Sequence, residues 1–368
     1  MQIKTITCHD VYNHGASLQA YALQTYLSSL GHDVEIIDYK PDYLSGHYCL
    51  SVVSNPKFDK PVVKQLYLLA KLPGRLTALK RKKIFDEFTR QYLHLTSLRY
   101  HSNEELKANP PKADVYIAGS DQIWNTLFKN GRDSAFYLDF APKSARRITY
   151  AASFATKDVV EGYKPFVSKM LQGLDKISLR EKISIPLLSS LGRADGVAVC
   201  DPVFLLSQQQ WNDLLPKPEE KHDPYLLVYD SDGLERLKEV AIKIAKQRNL
   251  KIYNISAYQL SYADKNYWCS GPLDFVRLIR DAEFVISNSF HATAFSLILH
   301  REFCVVNRTE AINERMYSLL EQYGLQNRML DGSLCIPSGT IDYPKVQIKI
   351  DEDIFASKQY LHDAISNN

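Results

Sequence analysis

Residues 3–39 read IKTITCHDVYNHGASLQAYALQTYLSSLGHDVEIIDY, and their pattern decides the fold class. Ile3–Thr7 alternates as a half-buried strand does. Leu18, Tyr21, Ala22, Leu23, Tyr26, Leu27 and Leu30 recur at helical spacing over Ala16–Leu30. Gly31 stands where a helix would end in a left-handed turn, and Val34–Tyr39 is again strand-like. Two strands joined by so short a connection with a helix in it run parallel, with a right-handed crossover.

The unit recurs along the chain. Asp114–Ala118, Arg147–Ala152, Lys176–Leu179 and Val197–Cys200 are strand-like, each followed by small or polar residues. Ser207–Pro224 is polar and carries Pro216, Pro218 and Pro224, as a linker would. Beyond it, Tyr225–Tyr229 and Lys251–Ile255 read as strands, Leu234–Arg248 and Leu273–Ala282 as helices. Residues 283–307 then supply strand, helix and strand. The expected architecture is α/β, with two Rossmann-like domains facing a cleft. Residues 1–206 form the first domain, 207–224 the linker and 225–345 the second domain. The last stretch, 346–368, holds a helix over Glu352–Ile365 that can cross back onto the first domain.

A basic helical insertion occupies 57–95 of the first domain. Lys57, Lys60, Lys64, Lys71, Arg75, Lys80, Arg81, Lys82 and Lys83 lie among Leu66, Tyr67, Leu68, Leu69, Leu72 and Leu76. A break is expected near Pro73-Gly74. Two readings of 57–83 stand side by side: a solvated helix, or peripheral contact with an anionic membrane or a lipid-linked substrate.

Bulk composition excludes several function classes. The chain has 368 residues, 45% hydrophobic and 24% charged, enough for two cores. A net charge of +3 gives no argument for nucleic acid. The cysteines (Cys8, Cys49, Cys200, Cys269, Cys304 and Cys335) form no C-x-x-C pair. That excludes a zinc ribbon or redox dithiol and fits a reducing compartment. Met1–Tyr12 lacks the plan of a signal peptide, and no apolar run reaches the ~18 residues of a membrane span. A cytoplasmic protein is expected, at most touching the inner face of the membrane.

Four segments place polar residues where a strand ends and a helix begins. In YNHGASLQAYALQ, Tyr12–Gln24, Gly15 would let backbone approach a ligand at a helix N-terminus; a capped turn explains it equally. In VYIAGSDQIWN, Val115–Asn125, short polar side chains beside Trp124 suit a sugar, unless Asp121 is a cap and Trp124 core. In KISLREKIS, Lys176–Ser184, Arg180 offers a fork for carboxylate or phosphate, or pairs with a glutamate. In SNSFH, Ser287–His291, the serines either cap a helix or bind an anion beside His291. Dinucleotide, P-loop, nucleophile-elbow and metal-binding spacings are absent.

In this order, NHGASLQAYAL, IAGSDQIWN, SLRE, CDPVFLL, SNSFHATAFSLI and INERMYSLLEQYGL resemble the motifs of the polysaccharide pyruvyl transferase family, over roughly residues 1–325. One departure is Ala292, where the family motif usually has Gly. The resemblance implies a GT-B-like fold and a bacterial enzyme of surface-polysaccharide (exopolysaccharide) biosynthesis. Such an enzyme moves pyruvate from phosphoenolpyruvate onto two hydroxyls of a saccharide or lipid-linked saccharide and releases phosphate. Phosphoenolpyruvate is then a co-substrate, and neither metal nor cofactor is implied. His291 is the candidate acid and Asp121 a candidate base. Arg180, Ser289, Ser287 and Arg315 would hold phosphoenolpyruvate. Asn13, Gly15, Gln19, Ser120, Gln122, Trp124 and Asn125 would lie on the acceptor side. The alternative is a GT-B glycosyltransferase using a nucleotide sugar, with Asp264 or Asp274 gripping ribose.

Overall fold

A computed structural model describes residues 1–44, 53, 58, 60–218, 223–307, 314–330 and 339–366. Lys57, Cys49, Cys335 and linker positions 219–222 lie outside the described residues.

The first half alternates β1 (Gln2–Ile6), α1 (His14–Ser29), β2 (Asp33–Tyr39), α2 (Pro61–Tyr92), β3 (Leu95–Tyr100), α3 (Asn103–Ala108), β4 (Val115–Ala118) and β5 (Arg146–Thr149). After α4 (Lys164–Leu171), β6 (Ser178–Leu179), α5 (Ile185–Ser190) and β7 (Val197–Ala198) form a small flank, and α6 (Gln208–Asp213) opens the connection. The second half runs β8 (Tyr225–Tyr229), α7 (Glu235–Arg248), β9 (Lys251–Asn254), β10 (Lys265–Asn266), α8 (Pro272–Arg280), β11 (Phe284–Ser287), α9 (Phe290–Ile298), β12 (Glu302–Val306), α10 (Glu314–Tyr323), β13 (Met329–Leu330) and α11 (Tyr343–Ile365).

Each half is built on a parallel sheet. The orders are β3-β2-β1-β4-β5 and β10-β9-β8-β11-β12-β13. Both follow the Rossmann plan, in which the chain reverses direction across the sheet beside its first strand. The reversal leaves a crevice at the carboxyl ends of β1 and β4 in one sheet and of β8 and β11 in the other. The strands β4, β8 and β11 are buried along their whole length, as parallel strands covered on both faces must be.

One apolar cluster spans both halves, and each half has a further cluster of its own. Helix α1 is buried on nearly every face, with Ala16, Leu18, Ala20, Ala22, Leu23 and Leu27 inaccessible or nearly so, because it lies between its own sheet and helices α8 and α9. His14 fixes that junction. Its ring stacks on Phe275 at 4.9 Å, and its Nε2 lies 3.1 Å from the Ser270 carbonyl. Burial, aided by the Arg81 charge, pushes the His14 pKa well down, so this ring is neutral packing. The connection between the halves is docked too: Trp211 of α6 is fully buried, its indole N–H donating to the Val203 carbonyl at 3.0 Å. Helix α11 returns to the first sheet, where Ser357 Oγ accepts from the Cys200 N–H and the Tyr360 hydroxyl donates to the Thr149 carbonyl. It starts nine residues before the expected Glu352.

Helix α2 corrects one expectation. It runs unbroken from Pro61 to Tyr92, through Pro73-Gly74. An interior proline costs about 3 kcal/mol, but 32 residues of helix anchored at one end carry it. The anchor is the second half of α2. Phe85 and Phe88 are buried, and Arg81 donates to the Trp268 carbonyl and to the Tyr12 carbonyl, so it touches both halves.

Candidate active site

The N-terminus of α1 and the N-terminus of α9 meet across the crevice. Asn13 caps α1, its Oδ1 accepting from the Gly15 and Ala16 amides at 3.0 and 3.3 Å. Gly15 faces His291 so closely that a Cβ there would lie 2.0 Å from Nδ1 and 2.2 Å from Cγ. Space for the imidazole, rather than approach of a ligand to the backbone, is what glycine provides here. We predict that Gly15→Ala displaces the ring by about 1 Å and lowers turnover on the order of 10²-fold, with the melting temperature far less affected; steady-state kinetics beside a thermal melt would check it.

The other face of the imidazole meets a buried charge cluster. His291 Nε2 lies 3.5 Å from Asp201 Oδ2. The same oxygen accepts from Ser120 Oγ and Arg180 Nη1, each at 3.0 Å, while Asp201 Oδ1 accepts from the Val203 amide at 3.1 Å. Burial alone would raise the Asp201 pKa. The positive charge of His291 and Arg180, with the Val203 N–H, outweighs it and holds the carboxyl well below the usual carboxylate range. Arg180 also donates from Nε to Glu181 Oε1 at 2.9 Å and from Nη2 to Ser153 Oγ at 3.3 Å, and its guanidinium lies over the Phe290 ring. These carboxylates outweigh burial and keep Arg180 firmly charged.

These contacts give Arg180 protein partners of its own. Its side chain is 1% exposed and its fork is taken up by Glu181, Asp201 and Ser153, so in this structure it balances Asp201. Arg315 joins the cluster from α10, lining with Arg180, Glu181, Asp201 and Phe290 a cavity of about 10 Å³, the size of one water. Asp201 itself was not singled out from the sequence. Its signal was present in CDPVFLL, where a carboxylate opens an apolar run and must find partners inside.

The serines divide. Ser287 Oγ donates to the Tyr229 carbonyl and accepts from the Ser289 amide, at 2.8 and 2.9 Å. It is 2% exposed, and its hydrogen bonds stitch β11 to β8. Asn288 does similar work, donating to Asp230 and Asp232 and accepting from the Ser231 amide. Ser289 is half-buried at the N-cap of α9, and its side chain makes no capping bond.

The acceptor-side candidates divide as well. Asn13 is exposed, and Asp121 and Gln122 are half-buried at the carboxyl end of β4, Asp121 in a left-handed conformation with φ 75°. Trp124, Asn125, Gln19 and Ser120 are fully buried. Trp124 stacks on Tyr137 and donates to the Phe136 carbonyl, so it is core and presents no face to a sugar. Asn125 donates to Gln122 Oε1, and Gln19 to Thr7 Oγ1 and the Ala16 carbonyl; both shape loops from within.

Solved structures share this architecture at low sequence identity. A putative UDP-N-acetylglucosamine 2-epimerase from Listeria monocytogenes superposes with a TM-score of 0.50 at 12% identity, covering 99% of this chain and 90% of the other. The UDP complex of MnaA from S. aureus gives 0.50 at 9%, covering 98% and 88%. The fold is thus of the two-domain GT-B kind. No curated protein matches the sequence. A family model described as polysaccharide pyruvyl transferase matches residues 13–310.

Proposed function

We propose that this chain, which belongs to the polysaccharide pyruvyl transferase family, builds a pyruvate ketal on a sugar of a surface-polysaccharide precursor, taking pyruvate from phosphoenolpyruvate and releasing phosphate. One observation carries the reading beyond family membership: a histidine at a helix N-terminus in the crevice, backed by a buried carboxylate.

The chemistry asks for such a group. Phosphoenolpyruvate reacts when its C3 takes a proton, which leaves an oxocarbenium-like centre at C2. His291, held by Asp201, supplies that proton. A sugar hydroxyl adds to C2 and gives up its proton to Asp121. The C2–O bond to phosphate then breaks, and the second hydroxyl closes the ketal. The two hydroxyl protons are accounted for, one replacing the proton delivered to C3 and one leaving with phosphate. Backbone amides at the start of α9, with Ser289 and Arg315, supply positive potential for the anionic donor. Asn13 and Gln122 stand on the acceptor side.

The nucleotide-sugar alternative finds no support at its candidate residues. Asp264 accepts from the Ile252 amide, and Asp274 from the Gly271 amide and Arg277. Purified protein is expected to release phosphate from phosphoenolpyruvate only when a saccharide or lipid-linked saccharide acceptor is present, with the ketal seen by NMR. A panel of acceptors yielding no phosphate, together with thermal stabilisation by a nucleotide sugar, would overturn the proposal.

A further inference from the structure

Helix α2 carries an exposed surface that neither fold nor active site uses. Its second half is clamped to the body through Arg81, Phe85 and Phe88. Its first half projects. Val62 is 70% exposed, Leu66 64%, Leu69 66% and Leu76 50%. Their successive spacings of four, three and seven residues put all four on one helical face. Lys80 and Lys83 continue that face toward the body, and both are exposed, as are Lys60 and Lys71. From 61 to 85 the helix holds seven Lys or Arg and no Asp or Glu.

From this surface we infer that the projecting half of α2 docks the enzyme on an anionic lipid bilayer. Large side chains left this open to water over four turns mark an interaction site. An apolar stripe that turns basic along one face suits the boundary between acyl chains and anionic headgroups, the leucines entering and the lysines lying at headgroup level. Charge selects the occupant. A second copy of this chain would bring one uniformly basic helix against another, whereas a bilayer rich in acidic lipid complements both parts of the face. Among the described residues no helix is long and apolar enough to cross a membrane, so the attachment is peripheral.

The test is co-sedimentation of the full chain with vesicles of phosphatidylcholine alone or mixed with phosphatidylglycerol. Binding is expected to the mixed vesicles at about 0.05 M salt and to weaken at least about tenfold at about 0.5 M. Leu66→Ser/Leu69→Ser is expected to weaken it by roughly ten- to hundredfold, and Lys80→Ser/Lys83→Ser by about tenfold. All four side chains face solvent, so the variants keep the fold, and an unchanged melting temperature with unchanged phosphate release verifies this. Failure to pellet with the mixed vesicles at low salt overturns the inference. So does equal binding to pure phosphatidylcholine, or self-association in sedimentation velocity that the leucine variant abolishes.

Discussion

Replacing His291 with alanine is expected to lower kcat for ketal formation by about 10²–10⁴-fold, the range lost when a positioned general acid is removed. The Michaelis constant for phosphoenolpyruvate should change little, because the group acts on C3 in the transition state rather than on the bound ground state. His291 is proposed for this role on geometric grounds. It stands at the start of α9, where the helix N-terminus offers positive potential to an anion, and Asp201 lies 3.5 Å from Nε2. A buried carboxylate this close to Nε2 can hold the ring in one orientation. The opposite pattern, kcat kept and the Michaelis constant for phosphoenolpyruvate raised, would make His291 a phosphate ligand. Full activity in His291→Ala would remove it from the mechanism. His291→Gln provides a control, since glutamine can hydrogen-bond phosphate but cannot protonate carbon. Recovery with glutamine would also speak for the ligand role.

The site was legible in the sequence where its logic is local. The period of residues 3–39 announces a parallel βα unit, and the same period after residue 225 announces a second. Ser287–His291 reads as strand, turn and helix, which is where the structure puts it. Sequence reasoning failed where a side chain's role depends on what the fold brings from far away. Arg180 at a strand end suits an anion equally well whether the anion is a ligand or Asp201, and only the return of residue 201 decides. Trp124 beside polar residues looks the same as a sugar platform or as core, and its stack on Tyr137 decides. Gly15 carries no local sign that its hydrogen stands against a ring 276 residues away. Pro73 is a true breaker by propensity, yet α2 continues past it because packing at its far end holds the helix.

Asp201→Ala should be the most destabilising single change in the site, costing about 3–5 kcal/mol. The carboxylate is fully enclosed and is the shared partner of Arg180, Ser120, His291 and the Val203 amide. Removing it leaves Arg180 with Glu181 and Ser153 and leaves polar atoms inside the junction of the two halves without their acceptor. Asp201→Asn keeps the shape and can still accept from Val203, but its amide hydrogens face donors, so it should approach the alanine cost. Arg180→Met alone should also destabilise. In the double variant Arg180→Met/Asp201→Ala the loss should fall short of the sum by about 0.5–3 kcal/mol, since each charge is costly chiefly when the other is missing. Strict additivity in urea unfolding would show that the pair is not coupled. The depressed Asp201 pKa fixes the direction of the pH dependence. The folded state holds this carboxylate ionised more strongly than the unfolded chain does, with its ordinary pKa of about 3.9. The stabilisation is therefore fully present above about pH 5 and is lost as pH falls below about 4 toward the depressed value. Acid unfolding of Asp201→Asn should lack this contribution, so its stability difference from the natural protein should shrink as pH drops. A difference that stays constant from neutral pH down to acid would mean that Asp201 contributes shape rather than charge.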